Sequence, residues 1–104
     1  MYFLSIISRR IKTKFDELKF KADPDGLPLF RARVEINGFE LSVVKESNHP
    51  GRYEFAVFNA LGEMIQIDGI HNSDTVVRYA TPEGVEEVMQ RLSDGIEARN
   101  TMYV

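Results

Sequence analysis

Few residues in this chain could carry chemistry. It contains two histidines, His49 and His71, and no cysteine, which excludes disulfides, thiolate metal sites and thiol nucleophiles. The segment Asp68-Gly69-Ile70-His71-Asn72-Ser73-Asp74 gathers two carboxylates and an imidazole within seven residues. A metal ion could use such donors, but the ligand set is short and its spacing matches no calcium loop or zinc motif. The plainer reading is a polar, flexible connecting loop, and no metal or cofactor is expected. His49-Pro50-Gly51 reads as a turn with a solvated imidazole. No serine stands in a nucleophile elbow or beside an evident base, and the seven glycines are scattered singly rather than gathered in a phosphate loop. Glu35 and Glu40 are expected to lie opposite each other on an open hairpin, where paired carboxylates are solvated and Arg33 softens their repulsion. Nothing there excludes water, so catalysis is not expected and the chain reads as non-enzymatic.

Charge is unevenly placed. Residues 1–21 hold Arg9, Arg10, Lys12, Lys14, Lys19 and Lys21 against Asp16 and Glu17, a local charge of +4, while the remaining 83 residues carry −7. At 104 residues the chain has the size of one domain with one core. Its 43% hydrophobic and 28% charged residues are ordinary globular usage. No apolar run approaches the roughly 20 residues of a membrane span. Arg9 and Arg10 follow the apolar start rather than precede it, the reverse of a secretory signal, so a cytoplasmic protein is expected.

The elements that would position these groups follow from periodicity. Ile7, Ile11, Phe15 and Leu18 recur at helical spacing, predicting an amphipathic helix over 5–20 that ends at the Pro- and Gly-containing stretch 22–28. Phe30, Ala32, Val34 and Ile36 alternate with charged residues up to Asn37-Gly38, after which Phe39, Leu41 and Val43 resume the alternation. Asn-Gly between alternating strands predicts a hairpin with a type I′ turn. Its register sets Ile36 against Phe39, Val34 against Leu41 and Ala32 against Val43, so the apolar side chains share one face. Arg52–Asn59 reads as a third strand, Met64–Ile67 as a fourth that closes a second hairpin, and Thr75–Tyr79 as a short fifth. Thr81 is an N-cap, Pro82 suits the first helical position, Glu83 complements the helix dipole, and Val85, Val88, Met89, Leu92 and Ile96 mark an apolar stripe. Residues 100–104 read as a tail.

The predicted architecture is a single α+β domain over 1–104. An antiparallel β-meander of four to five strands is covered on one face by an N-terminal and a C-terminal helix, and its second face is mostly exposed.

Three surfaces remain for function. An acidic face of Glu83, Glu86, Glu87, Asp68 and Asp74 could dock on a basic protein partner. Arg9, Arg10, Lys12 and Lys14 could contact nucleic-acid phosphates, although the acidic remainder opposes that approach. The apolar ends, Met1–Ile7 and Met102–Val104, could form a homodimer contact. A membrane partner is not expected, since one short helix anchors weakly.

Leu41-Ser42-Val43-Val44, Tyr53-Glu54-Phe55-Ala56-Val57, Gly62, Val76-Val77-Arg78-Tyr79 and Thr81-Pro82-Glu83-Gly84-Val85 together resemble the small proteins of unknown function encoded by bacteriophages and prophages, over about Gly38 to Leu92. The resemblance implies a viral accessory protein in a bacterial cell. Such proteins work by binding and blocking host machinery, including defence systems such as CRISPR effectors. The leading expectation is a protein-binding inhibitor of that kind, followed by a nucleic-acid binder and then by a homo-oligomeric structural protein.

Overall fold

The computed structural model describes residues 13–22 and 30–95, together with the backbone of Arg99–Asn100. These residues form one antiparallel sheet and one helix. The strands are β1 (Lys21–Ala22), β2 (Phe30–Ile36), β3 (Phe39–Lys45), β4 (Tyr53–Phe58), β5 (Met64–Gln66), β6 (Val76–Ala80) and β7 (Arg99–Asn100); the helix α1 spans Pro82–Ser93. Sheet order is β1-β2-β3-β4-β5-β7, and β6 also pairs with β4.

The hairpin β2–β3 has the register its alternation requires: Ala32 faces Val43, Val34 faces Leu41 and Ile36 faces Phe39. Asn37 and Gly38 supply the two positive φ angles of the turn, 56° and 88°. The same turn closes the helix. Asn37 Nδ2 donates to the Leu92 carbonyl at 3.1 Å, which also accepts the Gly95 N–H at 3.0 Å, so two donors cap this carbonyl of the last turn. Beyond it Gly95 takes φ 76°, and a Cβ there would lie 3.0 Å from Asn37 Nδ2, so the left-handed helix stop and the hairpin turn are fitted to each other.

At its other end, α1 begins as its composition predicts. The Thr81 hydroxyl accepts from the Gly84 N–H at 3.1 Å, and Pro82 occupies the first position. Val85, Val88, Met89 and Leu92 are fully buried. They pack on the inner face of the sheet, with Ala32, Ile36, Leu41, Val43, Phe55, Val57, Ile65 and Ile67.

Four expectations change. From Thr13 onward there is no N-terminal helix; its earlier part, with Arg9, Arg10 and Lys12, lies outside the described residues. Phe15–Glu17 make one 3-10 turn, Leu18 is extended, and Lys21–Ala22 pair with β2. The reason is tertiary. Phe15 and Phe20 both pack on Tyr53, at 4.8 and 5.7 Å between centroids, while Leu18 is buried in the core. These contacts on the sheet hold better than an isolated helix of the same sequence would.

The meander is also broken, because β6 returns to β4. Phe58 and Val57 pair with Met64 and Ile65; Ala56 then pairs with Val76, ten residues beyond the Gln66 that an unbroken ladder would supply. Thus β5 and β6 are one strand interrupted by a ten-residue excursion. A bulge follows between Tyr53 and Phe55, where Tyr79 takes φ 59° and Ala80 is returned to the core side. Third, the excursion is packed rather than a flexible polar loop, as its buried Ile67 and His71 show. Finally, Asn100 pairs with Ile65 in β7 instead of starting a tail.

The fit of the turn to the helix end is open to test. Asn37→Gly keeps the positive φ but removes the donor, and should lower the unfolding free energy by about 1 kcal/mol. Gly95→Ala should cost about 1–2 kcal/mol through its φ, with the Asn37 contact adding to it. Urea unfolding measures both; an Asn37→Gly protein as stable as the parent would show that the bond contributes nothing.

Candidate functional site

The carboxylates singled out by the sequence do not form one uniform face. Glu83 and Glu87 are exposed one helical turn apart on α1. Glu86 is half-buried and serves the fold, its Oε2 accepting the Phe15 N–H at 2.7 Å. The Asp68 carbonyl accepts from Arg91 Nη2 at 2.7 Å, which places a cation at the next turn of the Glu83–Glu87 stripe. Asp74 holds its own chain, Oδ1 accepting the Val76 N–H at 3.2 Å. Lys14 is exposed at the 3-10 turn, where Glu17 Oε1 accepts its N–H at 3.2 Å. Glu35 and Glu40 do face each other, and Arg33 Nε lies 4.0 Å from Glu40 Oε2. His49 packs edge-on against Tyr79 at 4.8 Å.

His71 is the buried titratable group of the excursion. Its Nδ1 accepts the Ile67 N–H at 3.0 Å, and its ring meets Phe55 edge-on. Nε2 is buried without a hydrogen-bond partner. Burial lowers the imidazole pKa below its ordinary 6.5; the Ile67 backbone, the Asp74 carboxylate and the Thr75 backbone oppose that shift without cancelling it. Among the described residues no three His, Asp or Glu side chains converge as a metal site.

The most developed surface is the outer face of the sheet, opposite α1, which the sequence reading left as mere exposed area. Strand alternation puts Arg31, Arg33 and Glu35 of β2 on this face, next to Glu40, Ser42 and Val44 of β3 and Glu54, Ala56 and Phe58 of β4. Met64 and Val76 continue it through their pairing with Phe58 and Ala56. No described element packs across it, yet Ser42 and Ala56 are buried between their neighbours. Two hollows result. One, of about 220 Å³, is lined by Val44, Phe55, Ala56, Phe58, Met64 and Val76 together with Arg31, Ser42 and Glu54. The other, of about 660 Å³, is lined by Lys19, Lys21, Ala22, Arg31 and Arg33. Arg31 belongs to both, and its Nη1 donates to the Ser42 hydroxyl at 3.2 Å.

A signal for half of this surface was present in the hairpin alternation, which sends Arg31 and Arg33 away from the core. The signal for Lys19 and Lys21 was not, because a helical reading of 5–20 separates them from β2. No helix among the described residues is long and apolar enough to cross a membrane.

The lowered His71 pKa fixes a pH dependence. Above about pH 6.5 the imidazole is neutral in both the folded and unfolded chains, and its contribution is intact. As pH falls through that value the unfolded chain takes up the proton first, so stability declines until the lowered folded-state pKa is passed. Urea midpoints at about pH 7.5 and about pH 5.5 should therefore differ more in the parent than in His71→Gln. Equal differences would show that His71 does not titrate between the two states.

Comparison with protein-family models, with curated proteins and with solved structures finds no match to this chain in any of the three.

Proposed function

We propose that this chain is a non-enzymatic protein-binding module whose contact surface is the outer face of its sheet. The observation that carries the reading is the hollow over Val44, Ala56, Phe58, Met64 and Val76, with Arg31 and Glu54 also in its lining. An apolar centre within a charged rim has the anatomy of a protein contact, in which the centre supplies burial and the rim supplies orientation. Strand pairing holds the lining side chains in place before a partner arrives, so little conformational entropy remains to be lost on association.

The resemblance to phage-encoded proteins supports a bacterial host cell as the setting and blockade of host machinery as the role. The exposed Glu83 and Glu87 of α1 lie on the opposite side of the molecule from the hollow. They would serve as a secondary contact or a solubilising surface, while Glu86 is occupied by Phe15.

The test is affinity capture from bacterial lysate with three forms of the protein: parent, Val76→Lys and Leu61→Lys. Val76 lines the hollow, whereas Leu61 is 82% exposed at the β4–β5 turn. A discrete protein retained by the parent and by Leu61→Lys, and reduced about tenfold or more by Val76→Lys, is the expected result. Circular dichroism should show all three forms equally folded. No retained protein, or equal retention by Val76→Lys, overturns the reading.

A further inference from the structure

The turn that seats the end of α1 is also where the chain is most open to reaction with itself. An asparagine loses its side-chain amide when the backbone nitrogen of the next residue attacks Cγ, and a Cβ on that next residue hinders the approach. Asn37 is followed by Gly38, which has no Cβ, whereas the other asparagines precede His49, Ala60, Ser73 and Thr101. Asn37 and Gly38 are both exposed, so water reaches the pair.

Two features of the fold oppose the attack. The pairing of Ile36 with Phe39 holds Asn37 and Gly38 at φ 56° and 88° in the type I′ turn. The side chain is held as well, because Nδ2 donates to the Leu92 carbonyl at 3.1 Å. Joining Cγ to the Gly38 nitrogen in a five-membered ring takes the side chain off Leu92 and the backbone out of that turn. The reaction therefore waits on an opening of the junction between the hairpin and the helix end.

We propose that Asn37 is a deamidation site gated by the seat of α1, and that its conversion prevents the turn from seating there again. The Gly38 nitrogen loses its proton and bonds to Asn37 Cγ; the Cγ–Nδ2 bond breaks and Nδ2 leaves as ammonia. One water then opens the cyclic imide. Breaking the new bond to Cγ leaves aspartate, and breaking the original peptide bond leaves isoaspartate. The net change is one water in and one ammonia out. Either product lacks the donor that Leu92 accepts. The aspartate form sets a carboxylate against that carbonyl, at the negative end of the helix dipole. The isoaspartate form adds a main-chain carbon to a turn whose length fixes the β2–β3 register.

Incubation in mildly alkaline buffer, followed by mass-spectrometric peptide mapping of amide-to-acid conversion, tests this. The samples are the parent in buffer, the parent in denaturing urea, and Gly95→Ala and Thr81→Ala in buffer. Conversion should concentrate at Asn37 over Asn48, Asn59 and Asn72, and should run at least about tenfold faster in urea than in the folded parent. Gly95→Ala strains the junction, since its Cβ would lie 3.0 Å from Asn37 Nδ2, and should speed conversion about fivefold or more. Thr81→Ala removes the cap at the far end of α1 and should leave the rate unchanged. Asn37→Asp, which reproduces the aspartate product, should unfold at a lower urea midpoint than the parent. Conversion spread evenly over the asparagines, or equal rates with and without urea, overturns the inference. So does equal acceleration by Thr81→Ala and Gly95→Ala, which would make global unfolding the gate, or an Asn37→Asp midpoint at or above the parent's.

Discussion

Among the described residues one helix has to cover one face of a sheet that is wider than the helix, and much of their arrangement follows from how that shortage is met. The twelve residues of α1 make a rod about 18 Å long and about 10 Å across, whereas the strands from β1 to β7 span roughly 24 Å at their usual spacing. Val85, Val88, Met89 and Leu92 seal the middle of the inner face. The uncovered end is closed by aromatics from the chain ahead of β1, where Phe15 and Phe20 gather on Tyr53 and Lys45 lies 5.1 Å over the Phe20 ring. Glu86 ties this segment to α1 by taking the Phe15 N–H. A carboxylate on the helix surface is thereby drawn into the fold.

The excursion between β5 and β6 meets the shortage on another side. By leaving β4 after Ile65 and rejoining it at Val76, the chain lets one edge of β4 support two short strands, and residues 66–75 bring Ile67 and His71 against the core. Ile67 goes inside, His71 plugs the space against Phe55, and Arg91 fastens the Asp68 carbonyl to α1. An imidazole in that position must be neutral to be tolerated, since burial penalises the charged form. The segment that reads as the best metal ligand set is thus a structural plug whose histidine nitrogen is already committed to a backbone N–H.

Because every covering element among the described residues lies on the inner side, the outer face keeps its own character. It is divided into a cationic part at β1–β2 and an apolar part over β3, β4 and the β5–β6 line, and Arg31 joins the two. Glu40, 4.0 Å from Arg33, and Glu35 beside it offset part of this cationic charge. Glu83 and Glu87 are on the helix, and Glu54 at the far rim is engaged by Arg78 at 3.1 Å. A net charge of −3 therefore coexists with a sheet face of mixed charge, and local charge is what an approaching group encounters within a Debye length of about 8–10 Å.

Two kinds of information are separated in this protein. The β2–β3 register and the start of α1 were legible in the sequence because both are local. Asn37-Gly38 meets a backbone requirement satisfied within two residues, and Thr81-Pro82 meets another within one turn. The inward set Ala32, Ile36, Leu41, Val43 and the stripe Val85–Leu92 are periodic signals that survive any tertiary arrangement burying one face. The path of residues 13–22, the return of β6 to β4 and the burial of His71 were not legible, because each is decided by competition between distant partners. Phe15 and Leu18 recur at a helical interval, but Tyr53 and the core draw them onto the sheet in one 3-10 turn and the extended chain after it. The candidate site divides the same way. Alternation alone sends Arg31 and Arg33 outward, but only the pairing of Lys21 with Arg31 brings cations from two separate segments together, and strand pairing across a loop is a fact of three dimensions.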